Sequence, residues 1–580
     1  MRTHGSGEDT DGTAARLERA AADVFGWHRL RPGQTEAMEA VMAGRDTLVV
    51  MPTGAGKSAV YQVPTLLLPG PTVVVSPLLA LQRDQIAGLL GHRAPDAVAV
   101  NSAQAADETA TAWEAVRSGD AEYLFLSPEQ LAKDDVIDSL ARARPALFVV
   151  DEAQCVSAWG HDFRPDYLRL GHAVRRVGRP TVLALTATAA PPVRQEIVDR
   201  LGMEDPALVV AGFDRPNIGL HVRRFEDDDA KRAAVVERAA AEPKPGIVYT
   251  ATRKDAEAYA GELARLGLSA AAYHAGLRAA ERSGVHEGFL AGDVDVVVAT
   301  SAFGMGIDKE DVRFVLHASV PGSLDAYYQE IGRAGRDGAP ATAVLHYRPQ
   351  DTALQNFLTA RTPSGDTLSE VAGHLHGHDP EEPVTLDELT EETGLSRNRV
   401  TAATNLLEEA GVARTDDEGA LSAAPGMSAG DAAERGAHAA ESRRRLERSR
   451  VEMVRAYAET TGCRRRFLLG YFGEPYEPPC GNCDVCEAAV AQDDPAPPGA
   501  RPTAAGGADE PDEAADHPAA DRFPLEARVR HAQWGEGTVL SKDPDRITVL
   551  FDSVGYRTLS LEVVSAQELL TVLEAPPADA

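Results

Sequence analysis

Two neighbouring carboxylates, Asp151 and Glu152, suggest chemistry most directly in this chain. They follow an apolar run at 146–150 that is typical of a buried strand in a parallel sheet. At the C-terminal end of such a strand, one carboxylate can hold Mg²⁺ through water while the other takes a proton from an attacking water. The pair therefore suits nucleotide hydrolysis, although a capped strand followed by a surface loop would show the same two residues.

A glycine-rich segment at 52–58, PTGAGKS, stands between an apolar run at 47–51 and a helical pattern. Strand, loop and helix in this order direct backbone N–H groups at phosphate, with Lys57 on the terminal phosphates and Ser58 on Mg²⁺. The GxxxxGK[ST] spacing would need glycine at position 51, where this chain has Met51. A simple turn before a helix is the alternative, and the Lys-Ser ending argues against it.

A second α/β series begins near residue 205 and carries two arginines three residues apart, Arg333 and Arg336. On one face of a helix they suit an arginine finger that stabilises phosphate charge in a transition state. An arginine-rich helix alone would more often be a solvated surface. Two lobes, one with the phosphate loop and one with the arginines, predict an ATP cleft that closes on binding and opens on hydrolysis.

Four ring-bearing side chains and one arginine lie close together in the sequence, just after the two carboxylates. They are Trp159, His161, Phe163, Arg164 and Tyr167. Bases of single-stranded nucleic acid stack on such side chains for about 1–3 kcal/mol each, so one loop could contact both ATP and DNA. Upstream, Gln34 presents a donor and an acceptor side by side, the complement of an adenine edge. Alone, that signal is weak.

Length and charge limit the remaining possibilities. The 580 residues are too many for one core and predict three to five domains. The formal net charge of −31 opposes simple attraction to nucleic acid, although binding depends on local patches. No apolar run approaches the roughly 18 residues of a membrane span, and the N-terminus lacks an apolar signal core. We expect a cytoplasmic, nucleoid-associated protein.

Four of the five cysteines fall in one short region. They are Cys463, Cys480, Cys483 and Cys486. The spacing C-x16-C-x2-C-x2-C suits one tetrahedral structural Zn²⁺, and a reducing compartment favours metal over disulfides. Structural zinc contributes an apparent ~10–16 kcal/mol in small modules, so we expect a role in folding. Arginines at 443–450 and 464–466 supply local positive charge, and the separate Cys155 is expected to be buried.

With these motifs the chain resembles the RecQ family of DNA helicases over most of residues 20–490. The motifs are RPGQ (31–34), MPTGAGKS (51–58), DEAQ (151–154), WGHDFRP (159–165), LTATA (185–189), FGMGI (303–307) and QEIGRAGRDG (329–338). PTGxGKS is the form of the phosphate loop in superfamily 2 helicases. The loop at 159–165 is more particular to this family, where it couples single-stranded DNA to ATP hydrolysis. The resemblance implies ATP-driven 3′ to 5′ translocation with strand displacement, in DNA repair and recombination.

The resemblance also implies site assignments. ATP would contact Arg31, Gln34, Thr53, Gly54, Ala55, Gly56, Lys57, Ser58 and Gln329. The catalytic set would be Lys57, Asp151, Glu152, Gln154, Arg333 and Arg336, with Ser58 and Asp151 holding Mg²⁺. DNA contact and coupling would fall to Trp159, His161, Phe163, Arg164 and Ser301. One departure is Gln154, where the family usually has His. A glutamine can hydrogen-bond across the lobe interface but cannot titrate, so we expect coupling rather than hydrolysis to differ.

Two further segments flank the cysteine region. Residues 383–415 show a helix, a turn and a Ser396-capped helix, which resemble a winged helix-turn-helix with Arg397 and Arg399 at the DNA-contacting start. A structural helical spacer fits equally well, and RecQ proteins usually carry the winged helix after the zinc module. Short alternating runs at 527–560 predict a small β-barrel. It is similar to the Tudor-like, protein-docking domain that ends UvrD-type helicases; an inert β cap is the alternative.

The predicted fold class is α/β, with two RecA-like parallel-sheet lobes, a winged-helix-like segment, a helical zinc-binding module and a small C-terminal β-barrel. The predicted divisions are a disordered N-terminus 1–12, lobe 1 at 13–204, lobe 2 at 205–350, the winged-helix-like segment 351–430, the zinc module 431–490, a disordered acidic linker 491–522 and an SH3/Tudor-like barrel 523–580.

Together these features predict a RecQ-type helicase that uses ATP, Mg²⁺ and Zn²⁺. Its partners would be single-stranded, tailed or branched DNA and a protein docked on the C-terminal barrel. One alternative is a DNA-stimulated translocase that remodels protein–DNA complexes without separating strands. A second is a non-enzymatic DNA- and protein-binding scaffold, against which the intact Lys57, Asp151, Glu152 and Arg336 argue.

Overall fold

The computed structural model describes residues 12–77, 79–101, 104–157, 167, 169–304, 307, 309–359, 363–379, 383–415, 420–493, 522–542 and 546–574. The two segments predicted to be disordered, 1–12 and 491–522, lie almost entirely outside these residues, as does the aromatic loop at 159–165. Within the described part of the chain, no helix is long and apolar enough to cross a membrane.

The first lobe is built on a parallel sheet of seven strands. The strands are β1 (Thr47–Val50), β2 (Thr72–Val75), β3 (Asp96–Val100), β4 (Ala121–Leu126), β5 (Leu147–Val150), β6 (Thr181–Thr186) and β7 (Ala207–Val210), in the order β3-β4-β2-β5-β6-β1-β7. The helices are α1 (Thr13–Ala20), α2 (Gln34–Met42), α3 (Ala59–Thr65), α4 (Leu79–Leu90), α5 (Ala106–Ser118), α6 (Asp134–Ala143), α7 (Leu170–Arg176) and α8 (Pro191–Leu201). Because β7 pairs with β1, this lobe extends past the predicted boundary at residue 204.

The second lobe has a parallel sheet of six strands, which confirms the predicted pair of parallel-sheet lobes. Its strands are β8 (Ile218–Arg224), β9 (Gly246–Tyr249), β10 (Ala270–Tyr273), β11 (Val296–Ala299), β12 (Phe314–His317) and β13 (Ala341–Tyr347), in the order β10-β11-β9-β12-β13-β8. Its helices are α9 (Asp228–Ala241), α10 (Arg253–Arg265), α11 (Ala279–Ala291) and α12 (Leu324–Ile331). The inner strands are buried along their whole length, which accounts for their uninterrupted apolar runs.

In the first lobe, strands β1, β5 and β6 bring the candidate site residues to one edge. Val50 is level with Thr186, and Val150 is level with Ala184. Parallel strands end at the same edge, so the phosphate loop after β1 and the carboxylates after β5 lie close together. Open α/β sheets bind their ligands at this edge.

A mostly helical region follows the lobes. Its elements are α13 (Asp351–Thr359), α14 (Gly365–Gly377), α15 (Leu386–Thr393), α16 (Arg397–Glu409), the antiparallel pair β14 (Ala413–Thr415) and β15 (Leu421–Ala423), α17 (Ala429–Glu459), α18 (Arg464–Tyr471) and α19 (Asp484–Asp493). Helices α14 to α17 share a separate apolar core. The long helix α17 therefore belongs both to this core and to the cysteine-bearing segment that follows it.

The C-terminal segment, for which a β-barrel was predicted, forms one antiparallel sheet whose two edge strands do not pair with each other among the described residues. Its strands are β16 (Arg528–His531), β17 (Gly535–Lys542), β18 (Arg546–Phe551), β19 (Gly555–Ser560) and β20 (Leu570–Glu574), with α20 (Leu561–Ala566) before the last. The order is β19-β18-β17-β16-β20, so β19 and β20 are its edges among the described residues.

This sheet packs against the rest of the protein, on helix α17. The Tyr556 backbone N–H donates to Ser449 Oγ over 3.1 Å. Gly555 has φ +73°, and a Cβ there would lie 2.1 Å from Ser449 Oγ, so only glycine fits this contact. Leu540 and Leu550 join the large core that also contains residues of both lobes. The predicted C-terminal module is therefore docked against α17.

Candidate active site and metal centre

The phosphate loop is shaped by two glycines in the left-handed region, Gly54 at φ +82° and Gly56 at φ +78°. Met51 N–H donates to Thr186 O over 3.0 Å, which joins the start of the loop to β6. Lys57 Nζ folds back to donate to Met51 O over 3.2 Å. Burial lowers the pKa of the Lys57 ammonium, and the carboxylates of Glu152 and Asp151 oppose that shift.

Gln34 braces the phosphate loop. Its Nε2 donates to Ala55 O (3.1 Å) and Gly56 O (2.9 Å), while its Oε1 accepts from Arg31 N–H (2.7 Å). The Arg31 guanidinium donates to Gly54 O. We predicted that the Gln34 amide would recognise adenine. In this structure both its N–H group and its oxygen are hydrogen-bonded to backbone groups of the protein.

Asp151 and Glu152 lie directly after β5. Asp151 N–H donates to Val75 O over 2.9 Å, and Asp151 Oδ2 accepts from Gln85 Nε2 over 3.2 Å. Burial, reinforced by the negative charge of Glu152, raises the pKa of Asp151 to about 6, while Lys57 acts against the shift. A dication would stabilise the carboxylate form, so the buried side chain fits the predicted Mg²⁺ site.

Gln154 connects Glu152 to the end of β6. Its Nε2 donates to Glu152 Oε2 over 2.7 Å, and its Oε1 accepts from Thr186 Oγ1 over 2.6 Å. The threonine hydroxyl in turn accepts from Thr188 N–H over 3.1 Å. All four residues belong to the first lobe, so the bonds that the structure gives Gln154 lie within this lobe.

The second lobe brings its arginines to the phosphate loop. A Cβ built on Gly54 would lie 3.1 Å from Arg336 Cγ, so the arginine stem covers this glycine. A Cβ on Gly332 would lie 3.4 Å from Thr53 Cβ. Arg333 is 3% exposed and lies near the Tyr249 ring system rather than on the loop surface. Of the two candidates, Arg336 is the one whose stem lies against the phosphate loop.

The remaining predicted contacts are spread out. Gln329 is half-buried on α12, and Ser301 is exposed just after β11. Trp159, His161, Phe163 and Arg164 lie outside the described residues. The Tyr167 hydroxyl donates to Asp151 O over 3.2 Å, so this member of the aromatic group supports the carboxylate turn.

The two arginines predicted to contact DNA from the winged-helix-like segment are engaged within it. Arg397 forms an ion pair with Asp387. Arg399 Nη2 donates to Thr367 Oγ1 over 2.7 Å. Arg397 keeps 57% of its side chain exposed in this pair, so its guanidinium is also accessible to solvent.

Sequence patterns missed Arg215, which lies between the two lobes. Its guanidinium donates to Thr53 O in the phosphate loop (3.1 Å) and to carbonyls of the turn that carries Arg333 and Arg336. No periodicity or motif among those we used marks this position, because its partners are backbone atoms far away in sequence.

The four predicted cysteines come together at the ends of α18 and α19. Their Sγ atoms all lie within 4.8 Å of one another. Backbone N–H groups of Asn482 and Cys486 donate to Cys480 Sγ and Cys483 Sγ, each over 3.5 Å, which suits thiolates. Cys155 is buried in the first lobe, apart from this group. Four sulfurs at this spacing fit a tetrahedral structural Zn²⁺.

Arginine pairs tie this zinc module to its surroundings. Arg464 holds Asp484 with two bonds, Nε to Oδ1 at 2.5 Å and Nη2 to Oδ2 at 2.9 Å. Arg465 pairs with Asp214 and donates to Ile218 O over 2.7 Å. The module is thereby fixed to the segment that joins the two lobes.

Comparison with known proteins identifies the family. The DEAD/DEAH box helicase profile matches residues 31–197, the helicase conserved C-terminal domain 230–338 and the RecQ zinc-binding domain 427–487. A probable ATP-dependent DNA helicase RecS from Bacillus subtilis is 35% identical over 472 residues, covering 81% of this chain and 91% of that protein. The chain belongs to the RecQ family of ATP-dependent DNA helicases.

Longer RecQ proteins match the same region. The ATP-dependent DNA helicase RecQ of Pasteurella multocida is 35% identical over 476 residues, and the chain spans 62% of its length. The solved structure of the DUF1998 helicase MrfA bound to DNA shares the fold, with a TM-score of 0.50 and 19% identity over 75% of this chain and 65% of that one. Membership of the RecQ family accords with ATP, Mg²⁺ and Zn²⁺ as cofactors and with DNA binding.

Proposed function

We propose that this protein is an ATP-dependent DNA helicase that moves 3′ to 5′ on one strand, displaces the other, and acts in DNA repair and recombination. The observation that carries the proposal is the contact between Gly54 and Arg336, which brings the phosphate loop of one lobe against the arginine of the other. An ATP motor needs this arrangement, because a site shared by two lobes converts hydrolysis into relative lobe movement.

In this proposal the first lobe holds and activates the reactants. Lys57 and Ser58 hold the phosphates with Arg31, Gln34 and residues 53–56 around them. Asp151 positions the metal ion, which when bound neutralises phosphate charge. Glu152 accepts a proton from the attacking water, and its bond to Gln154 fixes the direction of its carboxylate.

The second lobe supplies charge during the reaction. Arg336 stabilises the departing phosphoryl group, an effect worth about 10³–10⁵ in rate where such arginines have been removed. Gln329 on α12 lines the same side. The buried Arg333 serves as a supporting cation for this turn.

DNA contacts in the proposal come from several segments. Ser301 is exposed beside β11 and is available to a strand crossing the second lobe. Trp159, His161, Phe163 and Arg164 would stack on bases and report occupancy to Gln154. For the winged-helix-like segment, α15, α16 and the β14–β15 pair support the interpretation, whereas the bonds of Arg397 and Arg399 favour the structural spacer.

We also propose that the C-terminal sheet is a Tudor-like module. Its antiparallel strand order supports this interpretation. Because β19 is already packed on α17, a protein partner would have to use another face of the sheet, such as the edge strand β20.

The test is strand displacement from 3′-tailed and 5′-tailed duplexes, with ATP turnover followed in the same reaction and the K57A variant as control. We expect displacement of the 3′-tailed substrate alone. Brisk DNA-stimulated turnover without displacement would favour the translocase that remodels protein–DNA complexes. No ATP turnover with any DNA would leave only the binding scaffold.

A further inference from the structure

Arg215 bridges the two lobes at the ATP site. Its Nη1 donates to Thr53 O (3.1 Å) in the first lobe and to Gly332 O (3.2 Å) in the second. Its Nη2 donates to Ala334 O (2.9 Å) and Gly335 O (3.0 Å). One guanidinium therefore joins the phosphate loop to the turn that carries Arg333 and Arg336.

The chemistry of these partners explains why an arginine stands there. A guanidinium offers five N–H donors in a rigid plane, so it can serve four carbonyls at once. Three of the four carbonyls follow the C-terminal end of α12, where the helix dipole favours a cation. Among the described residues, no carboxylate forms an ion pair with Arg215. Its positive charge is thus directed entirely at backbone oxygens of the two lobes.

The linker that carries Arg215 is held firmly from the other side. Phe213 stacks on Phe472 with ring centroids 4.7 Å apart, and Asp214 pairs with Arg465 of the zinc module. Asn482 Nδ2 donates to Pro216 O over 3.0 Å. Fixed at both flanks, the linker gives Arg215 a rigid base from which it can set the distance between its partners.

We propose that Arg215 is a positioning residue for ATP turnover, which holds the phosphate loop in register with the Arg336 turn. The inference rests on the proposed function. Arg215 acts through Thr53 and the Arg336 turn, so its removal lowers kcat. ATP binding persists, because Lys57 and the Gln34 bonds to the loop are untouched.

The test compares wild type, R215A, R215K and N217A in single-stranded-DNA-stimulated ATP hydrolysis. Asn217 is the matched control, because its Nδ2 donates to Gly335 O (2.8 Å) and Ala339 O (2.9 Å) but does not contact the phosphate loop. For R215A we expect a kcat lower by about 10- to 100-fold, with KM for ATP within about threefold of wild type. R215K should recover part of the lost rate, and N217A should stay within about threefold of wild type.

Three results would overturn the inference while wild type is active: a kcat for R215A within twofold of wild type, a loss confined to KM, or equal losses of kcat in R215A and N217A. If R215A does not fold, R215K replaces it and must show a lower kcat than N217A. If wild type itself hydrolyses no ATP with DNA present, the proposed function fails, and this outcome is distinct from the other three.

Discussion

Gln154 orients the carboxylate of Glu152: its Nε2 lies 2.7 Å from Glu152 Oε2. The opposite end of the same amide accepts from Thr186 Oγ1 over 2.6 Å. Gln154 is only 1% exposed, so water does not compete for these bonds. A residue that cannot titrate therefore sets the direction of the carboxylate next to Asp151, the proposed Mg²⁺ ligand.

Breaking this connection should slow hydrolysis without weakening ATP binding. For Q154A we expect DNA-stimulated kcat to fall about tenfold with KM for ATP nearly unchanged, since Glu152 loses its orientation but the phosphate loop stays intact. T186V keeps the shape but removes the hydroxyl that holds Gln154, and it should show a smaller loss in the same direction. Unchanged kcat in Q154A would exclude an orienting role.

The phosphate loop and Arg336 should separate binding from catalysis. K57A should lose both ATP binding and turnover, because the ammonium that we propose holds the phosphates is gone. R336A should bind ATP normally, and its turnover should be at least about 10³-fold slower than that of wild type. R313A is a suitable control, since Arg313 Nη2 pairs with Asp337 over 2.6 Å in the same lobe. K57A and R336A should both bind DNA as wild type does in a fluorescence anisotropy titration. Turnover in K57A would contradict the assignment of Lys57 to the phosphate site.

Much of the fold was predictable because the inner strands are buried and apolar on both faces. The runs before Met51 and Asp151 each proved to be a central strand of the first sheet. Five strands were not predicted: the edge strands β3, β7, β8 and β20, and the inner strand β13. The edge strands β3, β8 and β20 are only partly covered, and their sequences mix apolar and charged residues, as in DAVAV of β3. Short mixed runs of this kind carry little periodic signal.

The site was predictable only where local spacing carries the chemistry. Lys57, Asp151 and the four cysteines each belong to a compact motif, and the structure brings each set together. Arg215 has no such signal, since its four acceptors come from two distant segments. The partners of Gln154 were also unpredictable, because a glutamine amide accepts any donor and acceptor that the fold places nearby.

His346 should make the folded state sensitive to acid. Its side chain is 0% exposed on β13 and stacks on Phe225 with centroids 5.9 Å apart. Burial, helped by the charge of Arg223, lowers the pKa of His346 to about 3. Unfolded chains take up this proton near pH 6.5, so stability is present above that pH and is lost as pH falls toward 3.

Between pH 7.5 and pH 5, protonation of His346 in the unfolded chain should lower the free energy of unfolding by about 2 kcal/mol. H346F keeps a ring in the site but removes the titrating group, so its unfolding free energy should fall by about 2 kcal/mol less over the same interval. Urea unfolding at the two pH values measures the difference. Identical pH dependence in wild type and H346F would show that His346 is not the buried neutral group.

The contact between the C-terminal sheet and the rest of the protein should contribute to the free energy of unfolding. The Tyr471 hydroxyl donates to Asp325 Oδ2 over 2.5 Å and lies 2.8 Å from the Tyr556 hydroxyl, with the two rings 5.3 Å apart. Asp325 is 3% exposed, so Y471F leaves a buried carboxylate without this donor and should cost about 1–3 kcal/mol. Y556F removes only the outer hydroxyl and should cost about 1 kcal/mol or less.

The double variant decides whether the sheet and the motor form one unit. Because the hydroxyls share one hydrogen-bonded group, we expect Y471F and Y556F to be non-additive in urea unfolding. S560A, at an exposed position of the same strand β19 where the side chain makes no cap bond, is the control and should change stability little. Additive effects, or a Y556A variant as stable as wild type, would mean that the sheet is merely tethered. A coupled loss would show that the C-terminal sheet stabilises the second lobe through Asp325.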